Sequence, residues 1–257
     1  MEVFRDIRAV VMDLDDTLIS AYRRPDLLWR TVCQQFRAQL GALEPEEAVR
    51  ALTRSGQAFW GDPKRHALGR LSPSEARRII VADAFEALLG SGRQPPSREV
   101  AERMADAFSL QRDRDMRLEP GADALLAHLG RAGYRLALLT NGAGPLQRAK
   151  IERFGLTSRF HHIQIEGEVG VGKPDPAAFR QAFEALAVDP ASVCVVGDSL
   201  EWDIRPARAL GCRTVLFDPD RSPGDASHRF ETDIHVRTLE SLAACLPGPR
   251  GWSLETV

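Results

Sequence analysis

Cysteine is scarce in this 257-residue chain, and the four present, Cys33, Cys194, Cys212 and Cys245, stand singly with no C-x-x-C spacing. That pattern excludes a zinc ribbon and a disulfide framework and predicts small buried hydrophobes. Excess charge is missing too. The formal net charge is -2, the sequence pI is about 6.3, and no basic tract occurs, so there is no electrostatic footprint for nucleic acid or an anionic membrane. No apolar run approaches the roughly 20 residues of a membrane span, and residues 1–6 lack a long apolar region. The expectation is a soluble globular protein, cytoplasmic by default, without nucleic-acid or membrane partners. Internal repeats and low-complexity tracts are absent. Lysine is nearly so: of 34 basic residues only Lys64, Lys150 and Lys173 are lysines, which makes each one a departure from the chain's preference for arginine.

Apolar content is ample, 44%, and the length suits one large domain or two small ones. The most informative stretch lies early. Ile7, Ala9, Val10, Val11 and Met12 make a run apolar enough for a strand buried on both faces, as in a parallel sheet, and Asp13, Asp15 and Asp16 follow at once. Burying carboxylates at a strand end costs several kcal/mol unless something compensates, and a divalent cation is the obvious compensator. An extended backbone would turn Asp13 and Asp15 to the same side.

After Leu18 the periodicity becomes helical and stays so to about residue 112. The spacing predicts a helix over 26–40 and a second over 46–60. Ser72-Pro73-Ser74-Glu75 reads as a capping box opening a third helix toward Leu89, and Ser97 as the cap of a fourth through Leu110. From Pro120 strands and helices alternate. Strands are predicted at 134–140, 162–165, 192–197, 214–217 and, weakly, 234–236, with helices at 122–131, 145–154, 175–186, 204–210 and 239–246. Residues 247–257 read as a loosely held tail that Trp252 pins. Alternation of this kind implies right-handed βαβ units. Because the first strand precedes the helical block and its partners follow it, the expected architecture is α/β, a Rossmann-like doubly wound parallel sheet (1–19 and 113–257) with an inserted α-helical cap (20–112).

In such a sheet ligands bind beyond the carboxyl ends of the strands, at the point where strand order reverses. The residues placed there are Asp13 and Asp15, then Thr140-Asn141-Gly142, then Asp198-Ser199 with Asp203 one turn on; Gly172-Lys173-Pro174-Asp175 ends the loop between the last two. Each has a plainer role available, as turn, helix cap or surface charge. Their joint occurrence, in order and at the ends of the right strands, argues against those roles.

Asp13-x-Asp15-x-Thr17, Leu139-Thr140-Asn141-Gly142, Gly172-Lys173-Pro174-Asp175-Pro176 and Gly197-Asp198-Ser199-x-x-x-Asp203 together resemble the four motifs of the haloacid dehalogenase-like hydrolase superfamily. The wording of residues 167–174 further resembles its phosphatase branch that includes N-acylneuraminate-9-phosphatase and pyrimidine 5'-nucleotidases. The resemblance implies a Mg²⁺-dependent phosphatase acting on a small phosphorylated metabolite, as monomer or homodimer. Asp13 would be the nucleophile that forms an aspartyl phosphate, and Asp15 the general acid and base. Mg²⁺ would be held by Asp13, the main-chain carbonyl of Asp15 and Asp198, with Asp203 orienting its waters. Thr140, Asn141 and Lys173 would bind the phosphoryl oxygens.

Members of the superfamily that cleave 2-haloacids resemble this chain in fold but lack an acid at the position of Asp15, since a halide leaves unprotonated. A phosphomutase uses the same aspartate pair and differs in how well its cap excludes water. A catalytically idle binding protein would be expected to have lost Asp13, Asp15, Lys173 or Asp198, and all four are present. Substrate choice is expected from the cap, where Arg23, Arg24, Arg54, Trp60, Lys64, Arg65 and His66 suit phosphorylated sugars or nucleosides. Trp29, Phe36 and Phe59 read as cap core, and His161 and His162 as structural.

Overall fold

The structure, a computed structural model, describes residues 4–220 and 231–246. The tail and Trp252 lie outside the described residues. In chain order the elements are β1 (Ala9–Met12), β2 (Ile19–Ser20), α1 (Pro25–Gln35), α2 (Pro45–Gly61), α3 (Pro63–Gly69), α4 (Pro73–Gly90), α5 (Arg98–Asp115), β3 (Arg117–Leu118), α6 (Ala122–Arg131), β4 (Arg135–Thr140), α7 (Gly144–Arg153), β5 (His162–Ile165), α8 (Glu166–Val169), α9 (Pro176–Ala185), β6 (Val193–Gly197), α10 (Arg205–Ala209), β7 (Arg213–Phe217), β8 (Ile234–Val236) and α11 (Leu239–Cys245).

The chain separates into two compact units, residues 1–20 with 117–257, and residues 21–116. The first unit is built on a six-stranded parallel sheet in the order β5-β4-β1-β6-β7-β8. Strand β1 sits in the middle, with Met12 level with Leu138 of β4 on one side and Val196 of β6 on the other. Both its faces are covered, which explains the unbroken apolar run. Ala9 and Val11 pack with Ala137, Leu139, Val195, Phe179 and Phe183. Val10, Met12, Leu136 and Leu138 point the other way and are equally buried, as are Leu125, Leu126 and Leu129 of α6. A separate two-stranded antiparallel ribbon pairs Ile19 with Leu118 and Ser20 with Arg117 where the chain leaves and re-enters this unit.

The second unit is helical. Its core joins Trp29, Val32 and Phe36 to Leu52, Phe59, Val81, Phe85, Met104 and Phe108. Several boundaries depart from expectation. Helix α1 stops at Gln35, and residues 36–40 form turns that still bury Phe36 and Leu40, so apolar spacing continued past the helix that it suggested. Ser72 stands at the N-cap of α4, but its side chain makes no capping bond; the predicted box does not close, and Pro73 starts the helix without it. Ser97 does cap α5, accepting from the Val100 amide at 3.4 Å. That helix runs on to Asp115, past the expected end. Among the described residues no helix is long and apolar enough to cross a membrane. Cys33, Cys194 and Cys212 are buried and unpaired thiols, while Cys245 is half-buried.

Candidate active site

Where β1, β4 and β6 end side by side, the switch in strand order brings their trailing loops together. The Asp13 amide still bonds the Val196 carbonyl at 3.0 Å, so this carboxylate starts from a fixed point on the sheet edge. Beyond it the backbone coils tightly: Leu18 and Ile19 amides return to the Leu14 carbonyl, and Asp16 takes a left-handed φ of 61° with its amide on Ile19 O at 2.6 Å. Aspartate tolerates that conformation better than most residues, which accounts for the third acid of the motif without giving it a role in the chemistry.

Lys173 is the centre of the constellation. Its ammonium lies 2.5 Å from Asp13 Oδ1 and 2.6 Å from Asp203 Oδ1, and the side chain is 4% exposed. Two side-chain bonds fix the loop that carries it, since Asn141 Nδ2 donates to the Lys173 carbonyl at 2.7 Å and the Lys173 amide donates to Asn141 Oδ1 at 2.8 Å. Burial works against the ammonium, but Asp13 and Asp203 more than offset it and push its pKa up. Asp13 feels burial most; despite Lys173 beside it, its pKa rises to about 7, with Asp203 and Asp15 adding to the rise. Asp198 is open to solvent by surface area, yet enough protein surrounds it that desolvation, then Asp13, Asp203 and Asp16, raise its carboxyl well above the usual range.

One oxygen from each of Asp13, Asp198 and Asp203 lies within 4.8 Å of the others. Asp203 reaches this cluster because residue 197 is glycine: a Cβ there would collide with the Asp203 carboxylate. The Asp203 side chain also accepts from the Ser199 amide at 3.2 Å, on a π-helical turn over Leu200–Ile204 in which Ser199 Oγ accepts from the Trp202 amide. Thr17 Oγ1 lies 3.5 Å from Asp198 Oδ1. Gly172 serves a similar purpose: a Cβ there would stand 2.6 Å from Asn141 Oδ1 and 2.5 Å from Glu166 Cδ.

The Asp15 carboxylate belongs to a different group. Lys150 Nζ holds both its oxygens, at 2.7 and 2.9 Å, and Gln147 Nε2 donates to Oδ2 at 2.9 Å and to Thr140 Oγ1 at 2.6 Å. Asp13 and Asp15 therefore take separate cationic partners rather than sharing one. Gln147, Lys150 and Glu166, whose Oε2 accepts from the Gly142 amide at 3.1 Å, are residues of the candidate site that motif reading missed. Lysine scarcity carried the signal for one of them, because it marks Lys150 as strongly as Lys173.

The proposed specificity residues all lie in the helical unit. Trp60 and His66 meet edge to face at 5.4 Å, and Trp60 packs on Phe59 at 5.0 Å. Arg65 is tied to Asp83 at 2.6 Å, and Arg24 to Asp26 at 3.2 Å. Arg54 and Lys64 are exposed and Arg23 is half-buried. His161 is structural, its Nδ1 accepting from the Leu136 amide at 3.0 Å, and His162 lies in β5.

Carboxylates gathered round a buried ammonium at the carboxyl edge of a parallel sheet define a polar site on a protein of the Rossmann-like α/β class. The haloacid dehalogenase-like hydrolase model matches residues 7–211, and the chain belongs to that family. It is similar to a phosphoserine phosphatase of Thermus thermophilus, 45% identical over 157 residues, although the match spans only 61% of either chain. A ribulose-1,5-bisphosphate 5-phosphatase of Halopiger xanaduensis is 31% identical over 91% of this chain and 97% of its own. Among solved structures, a magnesium-bound hydrolase of the family from Bacillus subtilis superposes with a TM-score of 0.66 over 93% of this chain and 98% of its own; at 23% identity that likeness concerns the fold.

Proposed function

We propose that this enzyme is a Mg²⁺-dependent phosphatase that hydrolyses a small phosphorylated metabolite, a sugar phosphate or nucleotide, through an aspartyl phosphate. The observation that carries the proposal is the Lys173 ammonium between Asp13 and Asp203 with Asp198 alongside. Once ionised, three carboxylates against one ammonium carry an excess of negative charge where a phosphate dianion has to arrive. An all-oxygen donor set with that excess fits a hard divalent ion. Asp13, Asp198 and the main-chain carbonyl of Asp15 would hold it, Asp203 would steady it, and the ion would supply neutralisation of the phosphoryl charge. Phosphatase names among the relatives, on phosphoserine and on a sugar bisphosphate, support the same reaction class.

The chain's own residues then divide the work. An Asp13 oxygen attacks phosphorus as the ester P–O bond breaks, and the Asp15 carboxyl passes its proton to the leaving oxygen, releasing the alcohol. In the second half Asp15, now a carboxylate, takes a proton from water as that water's oxygen bonds phosphorus and the bond to Asp13 breaks. Phosphate leaves with both aspartates restored. Lys173, Thr140 and the amides near Asn141 offset charge on the phosphoryl oxygens. A held carboxylate at position 15 favours ester hydrolysis over halide displacement, which needs no proton donor. Selection among esters is assigned to the helical unit, with Arg23, Arg54, Trp60 and His66 as the residues to vary.

The test is phosphate release from sugar phosphates, nucleoside monophosphates, phosphoserine and p-nitrophenyl phosphate, with Mg²⁺ and with chelator, for the wild type and Asp13→Asn. Chelator-sensitive turnover lowered by about 10⁴-fold or more in Asp13→Asn is expected. Turnover of 2-haloacids, or phosphoryl exchange between sugar positions, with no phosphate release would overturn the reading.

A further inference from the structure

The contacts of Asp15 say more than its place in the motif does. Its carboxylate accepts three hydrogen bonds, two from the Lys150 ammonium and one from the Gln147 amide, and every one of these partners is a donor. Together these donors hold the side chain in a single orientation. Gln147 and Lys150 are one turn apart on the same face of α7, and both are buried, at 3% and 8% exposure.

Gln147 also settles the polarity of its other partner. The Gln147 amide nitrogen lies between Asp15 and Thr140 and donates one hydrogen to Asp15 Oδ2 and the other to Thr140 Oγ1. With a lone pair engaged by Gln147, the Thr140 hydroxyl directs its own proton to the Asn141 carbonyl at 3.4 Å.

Building on the phosphatase reading, we infer that Lys150 and Gln147 are positioning residues for the second half-reaction. They hold Asp15 as the base that activates water against the aspartyl phosphate, and Gln147 ties that base to the hydroxyl of Thr140. Neither residue touches substrate in this role; both act through Asp15. When either is removed, hydrolysis of the aspartyl phosphate slows, while its formation continues from an ester whose leaving group needs little protonation.

That split is visible in transient kinetics. With p-nitrophenyl phosphate, whose leaving group needs little protonation, kcat/KM reports transfer to Asp13 and kcat reports hydrolysis once hydrolysis is the slow step. For Lys150→Met the expected result is a burst of nitrophenolate close to one per enzyme, kcat lower by about 10²-fold, and kcat/KM within about 3-fold of wild type. Trapped phosphoenzyme should accumulate in step with the burst. Gln147→Ala should show the same signature more weakly, Lys150→Arg should restore part of kcat, and Asp15→Asn with Lys150→Met should be no slower than Asp15→Asn alone. Circular dichroism and a thermal melt establish that each variant is folded, and the Gln147 and Arg variants carry the test if Lys150→Met is not. Parallel loss of kcat and kcat/KM without a burst, or unchanged kinetics, overturns the inference. A wild type that releases no nitrophenolate overturns the phosphatase reading, and the inference with it.

Discussion

Replacing Lys173 with methionine tests the electrostatics of the site independently of catalysis. The substitution removes an ammonium that touches Asp13 and Asp203, side chains 10% and 3% exposed, and leaves two buried carboxylates facing each other. Deleting one partner of a buried ion pair costs about 3–5 kcal/mol, far more than a surface pair is worth. The cost should depend on pH with a definite sign. A carboxyl whose pKa rises from 3.8 unfolded to about 7 folded binds its proton more tightly in the native state. Stability therefore falls as pH rises between those values, by about 4 kcal/mol at 1.36 kcal/mol per pKa unit. In the wild type the fall ends near pH 7, where folded Asp13 ionises. Without Lys173 nothing nearby favours that ionisation, so the fall continues above pH 7 and the variant's deficit grows. Urea unfolding in chelator at pH 5 and pH 8 measures it. A deficit of about 3–5 kcal/mol at pH 8, clearly smaller at pH 5, is expected. An equal deficit at both values, or one below about 1 kcal/mol at pH 8, would refute the reasoning.

Two further outcomes follow from packing. Gly197→Ala sets a methyl against the Asp203 carboxylate, so a loss of about 1–3 kcal/mol in thermal or urea unfolding should accompany a drop in phosphate release; wild-type stability with full activity would show that Asp203 has room to move. Arg77, 5% exposed in the helical unit, bonds Ser109 and lies over the Phe108 ring at 4.6 Å, and burial, with Arg112 near, pulls its pKa down to about 10. Arg77→Leu should leave stability within about 1 kcal/mol of wild type or raise it, evenly from pH 5 to 9 because the titration lies higher; a loss above about 3 kcal/mol in urea would refute this.

Local chemistry made much of this molecule readable from its sequence. The unbroken apolar run of β1 signalled a strand covered on both faces, and polar residues at three strand ends located the carboxyl edge. Strand 162–165 and the weak strand 234–236 fall where alternation put them. What could not be read depends on tertiary partners. Helix α3 is short and follows directly on α2, so its periodicity merges with its neighbour's. The ribbon of β2 and β3 consists of two residues on each side, brought together by a long excursion of the chain. Ser72 has the composition of a capping box but adopts a φ of -137° and ψ of 62° with no side-chain cap bond, a matter of backbone angle that residue types do not fix. Gln147 and Lys150 escaped notice because their meaning lies in a contact with Asp15, a residue far away in sequence. A rule based on rarity would have caught the lysine; nothing comparable marks the glutamine.

The central position of β1 carries a consequence for how the chain reaches this structure. Its neighbours, residues 135–138 and 193–196, come after the whole helical unit, so the wholly apolar central strand of the sheet must wait for partners that are not yet in place. The helical unit makes its contacts locally and can form early, whereas the sheet closes only through distant pairings, which are slow. During that interval a short, uncharged, strand-prone segment is exposed, and the aspartates that follow it act as gatekeepers against self-association. The residues proposed to bring catalysis to the finished enzyme would thus also protect the unfinished one.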